Sequence, residues 1–236
     1  METRTLARVS GIAGLAFVIG GTAIEAIFPA PVEPGGTAAA VIQAISQPGA
    51  IATVALLAAT TGLGTAILVI FAASFARYLD TDNGPLAQVA VLGAVGGFVL
   101  SVVRRGLLIA SAQTAASSDQ SGAVALFVAA TDSLVRVYAY PVALFVGALG
   151  LLIVARRTLP VWLGWTALAI AALEVVSAFA GGVDPGLDLG YPAYLLMLVW
   201  IGAVSLILLV RSARSATAND SQRVGSMARG SGTPTS

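Results

Sequence analysis

The sequence predicts an all-α, polytopic transmembrane bundle of six spans with both termini cytoplasmic, and three observations carry that prediction. Hydrophobic residues make up 58% of the 236, charged residues only 10%, and the mean hydropathy is +0.93, far from the balance of a water-soluble chain. The apolar residues gather into six stretches, each able to supply the roughly 20 residues that a helix needs to cross a bilayer. All 12 basic residues are arginine, and those outside the stretches fall only in alternate flanks and loops. The runs are continuously apolar rather than alternating, which favours helices over barrel strands.

The predicted spans are Val9–Phe28, Ile51–Ala76, Leu86–Ala110, Ala123–Ala155, Val161–Ala180 and Ala193–Val210. The first follows Arg4 and Arg8 like a signal peptide, but its run is long, Glu25 interrupts its end and no clean small-x-small site follows, so it is expected to stay as a span. In the first outer loop, Thr37–Ser46 reads either as a short interfacial helix displaying Val41, Ile42 and Ile45 or as a plain loop. The fourth run is too long for one perpendicular span and contains Pro141, which predicts a kink or an outer extension before a core at Leu134–Val154. Pro160 is placed to start the fifth helix. Trp162, Trp165, Trp200, Tyr191 and Tyr194 fall at predicted span ends, where aromatic belts belong. Residues 1–211 thus form one membrane domain. From Ser212 to Ser236 Ser, Thr, Gly and Arg dominate, which predicts a disordered basic cytoplasmic tail whose arginines are an ordinary positive-inside flank.

Arginine sets the orientation. Arg4 and Arg8 precede the first span, Arg77 follows the second, Arg156 and Arg157 follow the fourth, and Arg211, Arg214, Arg223 and Arg229 follow the sixth. The alternate loops, Pro29–Ala50, Ser111–Gly122 and Gly181–Pro192, hold no arginine and carry Glu33, Asp119, Asp184 and Asp188.

The functional clue lies in the charges inside the spans. Glu25, Asp132 and Glu174 stand against Arg104, Arg105 and Arg136, and their formal charges cancel. In the predicted orientation all six lie in the outer half of the membrane, Glu25 about one turn and Arg104 and Glu174 about two turns from the outer end of their spans. A lone charge in lipid costs roughly 2.5 kcal/mol or more, so these residues should face the bundle and find partners. Spacing of four puts Asp132, Arg136 and Tyr140 on one stripe and predicts an Asp132–Arg136 pair. Gly93, Gly97, Ser101 and Arg105 share another face, turning Arg105 inward while Arg104 points about 100° away to a second neighbour or the outer interface. Stripes of small residues, Gly11, Gly14 and Gly21 leading to Glu25, and Gly164, Ala167 and Ala171 leading to Glu174, suit close helix packing. Three readings of the charged set stay open: a structural salt-bridge cluster, a ligand or ion site, and snorkelling to the interface.

Several chemistries are excluded. Without Cys, His or Lys there is no structural zinc site, no histidine-held haem, no thiol nucleophile, no histidine acid–base pair and no Schiff-base lysine. No cofactor is implied, and a net charge of +1 gives no footprint for nucleic acid. Phosphate loops and nucleophile elbows are absent. Glu25 and Glu174 could form a carboxylate pair, but arginines at similar depth favour their ionised forms and argue against a proton relay.

The segment ALFVGALGLLIVARRTLPVWLGWTALAIAAL, Ala143–Leu173, resembles one recurrent in small six-span membrane proteins of high-GC Gram-positive bacteria, where a span is followed by a basic residue and LP-x-WLGW. LARVSGIAGLAFVIGG, Leu6–Gly21, is similar to the start of the same family. The resemblance implies a multi-pass fold in the bacterial plasma membrane; the family is a domain of unknown function and lends no activity, ligand or site residue. Two classes therefore remain: a bundle that serves as a partner subunit, alone or self-associated, or holds a lipid or small apolar ligand, and a small secondary transporter with alternating access. An intramembrane enzyme stands third, for lack of a nucleophile, metal or acid–base set.

Overall fold

A computed structural model describes residues 3–27, 38–45, 47, 49–116, 120–183 and 189–230. They are helical apart from short turns, in the order α1 (Thr3–Ile27), α2 (Ala38–Ile45), α3 (Ala50–Leu79), α4 (Pro85–Ala116), α5 (Gln120–Val128), a π-turn (Ala129–Ser133), α6 (Leu134–Arg156), α7 (Val161–Val183) and α8 (Gly190–Gly230). Five helices are long and apolar enough to cross a membrane: Ile51–Leu79, Pro85–Ala116, the continuous Gln120–Arg156, Val161–Ala180 and Gly190–Arg214. The first expected span, α1, is not among them, because Arg4 and Arg8 stand in its first two turns and lower the hydropathy of its described residues.

The long helices form a ring of neighbours, α1 beside α3, α3 beside α4, α4 beside α6, α6 beside α7, α7 beside α8 and α8 beside α1. Successive members run antiparallel. Ser10 Oγ donates to Ser74 Oγ at 2.9 Å between α1 and α3. Gly97 of α4 faces the Tyr138 ring of α6, and Gly150 of α6 faces Ala167 of α7. One end of the ring consequently collects Arg4, Arg8, Arg77, Arg156, Arg157, Arg211 and Arg214, as the alternation in the sequence requires.

The small stripes do what their spacing predicts. A side chain at Gly93 would meet the Phe145 backbone nitrogen at 2.6 Å and the Pro141 carbonyl at 2.7 Å, and one at Gly164 would meet the Gly150 carbonyl at 2.8 Å. Gly14 lies so close to α8 that a Cβ there would overlap Ser205 Oγ. Into the space left by these approaches fit Phe71, Phe75, Phe145 and Trp200, with Phe71 and Phe75 stacked at 5.4 Å and Phe145 edge-on to Phe71 at 6.4 Å. Such pairs add about 0.5–1.5 kcal/mol each beyond burial. The outward face is apolar too: Ile12, Leu63, Leu92 and Val199 are 62–69% exposed, a surface that hydrocarbon rather than water would solvate.

Several expectations are refined. The long fourth run divides, with α5 as the extension, a π-turn as the joint and α6 beginning at Leu134; Pro141 lies within α6, eight residues past the joint. Residues 38–45 are helical, but Val41 is buried against Ala123 and Phe127, so this helix packs on protein. Trp200 is a core residue and not part of an interfacial belt, its Nε1 donating to the Leu163 carbonyl at 2.9 Å; Trp162, Trp165 and Tyr191 are exposed. Where composition predicts disorder from Ser212, α8 continues to Gly230: the nucleus is already formed in the apolar part, and no proline intervenes between Pro192 and Pro234. Residues 231–236 lie outside the described residues, as do most of the first outer loop and Asp119, Asp184 and Asp188.

Candidate functional site

The intramembrane charges fall on four long elements, α1, α4, α6 with the π-turn before it, and α7. Arg104 and Arg105 are on α4, Asp132 in the π-turn, Arg136 and Tyr140 on α6, Glu174 on α7, and Glu25 near the end of α1. All lie away from the arginine-rich end. Glu174 stands thirteen residues after Val161, nine before the end of α7 at Val183 and six before Ala180, where the apolar span ends.

Side-chain placement separates these residues into two groups. Arg104 and Arg105 are both half-buried, and Tyr138 lies within electrostatic reach of both and of Glu174. Arg104 therefore does not turn away from the cluster. Its Nε is buried with no hydrogen-bond partner among the described residues. Glu174 is 6% exposed and, among the described residues, makes neither an ion pair nor a hydrogen bond. Glu174 does not pair with Arg105, whose sign and depth match it, and the topology explains this: α6 stands between α4 and α7, which do not touch among the described residues. Tyr138 occupies the gap, its ring against Gly97.

Tyr140 is 41% exposed and packs edge-on against Phe179 of α7 at 6.2 Å; it keeps its four-residue spacing from Arg136 within α6, while the π-turn at Ala129–Ser133 widens the step from Asp132 to Arg136. The side chains of Glu25 and Asp132, and with them the Asp132–Arg136 pair, lie outside the described residues. Tyr138 was not singled out by spacing from the charges; its signal is the apolar three-four repeat Tyr138, Val142, Phe145, Leu149, the buried stripe of α6.

The arginine-rich end is built differently. Asp80, the C-cap of α3, is 4% exposed; its Oδ1 accepts from Arg156 Nη2 at 2.7 Å and its Oδ2 from the Gly84 backbone N–H at 3.0 Å. Arg211 donates to the Thr158 carbonyl at 2.5 Å. These contacts tie the α3–α4 turn to the end of α6, and the α6–α7 connection to α8. Asp80 was hidden in the sequence as one acid in an arginine-rich flank.

Among the described residues no three His, Cys, Asp or Glu side chains converge as a metal site. No family model, no curated protein and no solved structure matches the chain.

Proposed function

We propose that this is a six-span protein of the bacterial plasma membrane, with both termini cytoplasmic, whose outer half binds a lipid or small apolar molecule through the polar groups around Tyr138. The observation that carries the reading is Arg104, whose buried Nε lacks a hydrogen-bond partner among the described residues. Buried donors are normally satisfied, and leaving one unsatisfied costs about 1–3 kcal/mol; a ligand oxygen on Arg104 with its apolar part between the helices would remove that cost. The orientation rests on the arginine-rich end, and the bacterial membrane on the resemblance at Ala143–Leu173.

A small secondary transporter is the second reading, favoured by the mid-helix position of Glu174, because transport sites lie near the bilayer midplane. Lipid- and metabolite-resolved mass spectrometry of the purified protein tests the binding proposal. A specific co-purifying molecule is expected, and it should be lost from Arg104→Ala and reduced in Tyr138→Phe. A spectrum of bulk lipid only, identical in wild type and Arg104→Ala, would leave the cluster purely structural.

A further inference from the structure

We propose that Glu174 is a proton-binding site, the place where this protein takes up and releases a proton within its membrane domain. Glu174 lies near the middle of α7, is 6% exposed, and has no ion-pair or hydrogen-bond partner among the described residues. Taking an isolated carboxylate out of water is so unfavourable that the group is met in such places only with a positive charge beside it or a proton on it.

The positive charge is missing for a topological reason. α7 packs on α6 and α8. From α6 the titratable group within electrostatic reach is Tyr138, a phenol; Tyr140, two residues on, is exposed and packs on Phe179, Arg136 is two residues before Tyr138, and Arg156 is at the far end. On α8 the titratable side chains of the same half are Tyr191, exposed, and Tyr194, partly buried against the core, and Arg211 and Arg214 are at the arginine-rich end. α7 itself carries no second charge. Arg104 and Arg105 are on α4, which α6 holds away from α7.

Space leads to the same ligand. Glu174 continues the stripe Gly164, Ala167 and Ala171, and that stripe is in tight contact with α6: a Cβ at Gly147 would lie 3.3 Å from Ala171 Cβ, and one at Gly150 2.9 Å from Ala167 Cβ. A proton needs no more room than this seam provides. Its exchange would be governed by whatever loosens α6 from α7, which gives the molecule a means of coupling a proton to helix movement. The proposal does not require the lipid or small-molecule reading of the Arg104 cluster, and either can fail alone.

Infrared difference spectroscopy of the intact protein in lipid, stepped between acidic and alkaline buffer, is the test. A carboxylic-acid carbonyl band that titrates, shifts in heavy water, disappears in Glu174→Gln and moves in Glu174→Asp is expected. Identical difference spectra for wild type and Glu174→Gln would overturn the proposal. A second readout covers the case of poor Glu174→Gln yield. A group that holds its proton more tightly folded than unfolded stabilises the fold at low pH and loses that contribution as pH rises through its folded titration. Wild-type melting temperature should therefore fall from acidic to alkaline buffer by more than that of Glu174→Gln or Glu174→Leu, and equal slopes would overturn the proposal. Sodium in place of choline should change neither readout. A sodium-dependent shift lost in Glu174→Gln would make the occupant a metal cation and refute the proton.

Discussion

The two ends of the bundle solve the same problem in different ways. At the arginine-rich end, the one acid carried inside the fold, Asp80, is paired with Arg156 and capped by Gly84, and Arg211 is tied to Thr158. In the other half Glu174 is buried without an ion pair among the described residues; a buried guanidinium Nε without a hydrogen-bond partner among the described residues occurs in both halves, on Arg104 here and on Arg4 at the arginine-rich end. Gly11, Gly14, Gly93, Gly150 and Gly164 have a neighbour within 3.0 Å of a would-be Cβ, whereas Gly20 and Gly106, towards the other end, and Gly62, Gly64 and Gly202, nearer mid-helix, have nothing within 4 Å. A helical bundle can be locked by close backbone approach and by pairing of its buried acids. One half of this molecule is locked so, and the buried intramembrane acid without an ion pair stands one turn beyond the close α6–α7 contacts of Ala167 and Ala171.

The largest test of this contrast lies in the glycines. Gly93→Leu forces a side chain against the Phe145 and Pro141 backbone and should cost about 3 kcal/mol or prevent folding, since overpacking against backbone cannot relax through rotamers. Gly62→Ala, in open space on α3, should change stability by less than about 0.5 kcal/mol. Thermal unfolding of the two variants in detergent compares them, and equal losses would erase the distinction between the halves.

Next in size is the Asp80 pair. Arg156→Ala leaves a buried carboxylate with only its backbone donor; because Arg156 is 49% exposed, the loss should be about 1–3 kcal/mol, below the 3–5 of a fully buried pair. Arg157→Ala, one position along and exposed, should lose less than about 0.5 kcal/mol. A double-mutant cycle on Asp80→Asn and Arg156→Ala should return a coupling of the same sign and order.

The smallest effect is a coupling expected to vanish. Because α6 separates Glu174 from α4, Glu174→Gln should not rescue Arg105→Ala; the two losses should add within about 0.5 kcal/mol. Partial rescue would bring α4 and α7 together and contradict the helix order.

How far the sequence could be read depended on the kind of information each feature needs. Helix positions, the break near Leu134 and the gathering of arginine at one end follow from hydropathy, proline and charge, which are local. The close contacts of Gly93 and Gly164 follow from spacing. Partner choice is not local: Glu174 and Arg105 look like a pair by depth and sign, and only the order of helices around the ring, with α6 between them, shows that they are not. Spacing also gave no sign that Tyr140 packs on Phe179, or that Tyr138, unremarkable among apolar residues, lies within electrostatic reach of Arg104, Arg105 and Glu174. Trp200 misled because Trp near a span end usually marks the interface; here Leu163 offers its indole a carbonyl in the core.

The central claim is that the arginine-rich end, with its paired acid, faces the cytoplasm and the half holding Arg104 and Glu174 faces outward. The chain has no cysteine, so single cysteines report without background. Introduced at Ser118 and, separately, at Asn83, they should be read with a membrane-impermeant thiol reagent on intact cells. Ser118→Cys should label from outside, and Asn83→Cys only after the membrane is permeabilised. Labelling of Asn83→Cys on intact cells, with Ser118→Cys protected, would invert the molecule and place Arg104 on the cytoplasmic side.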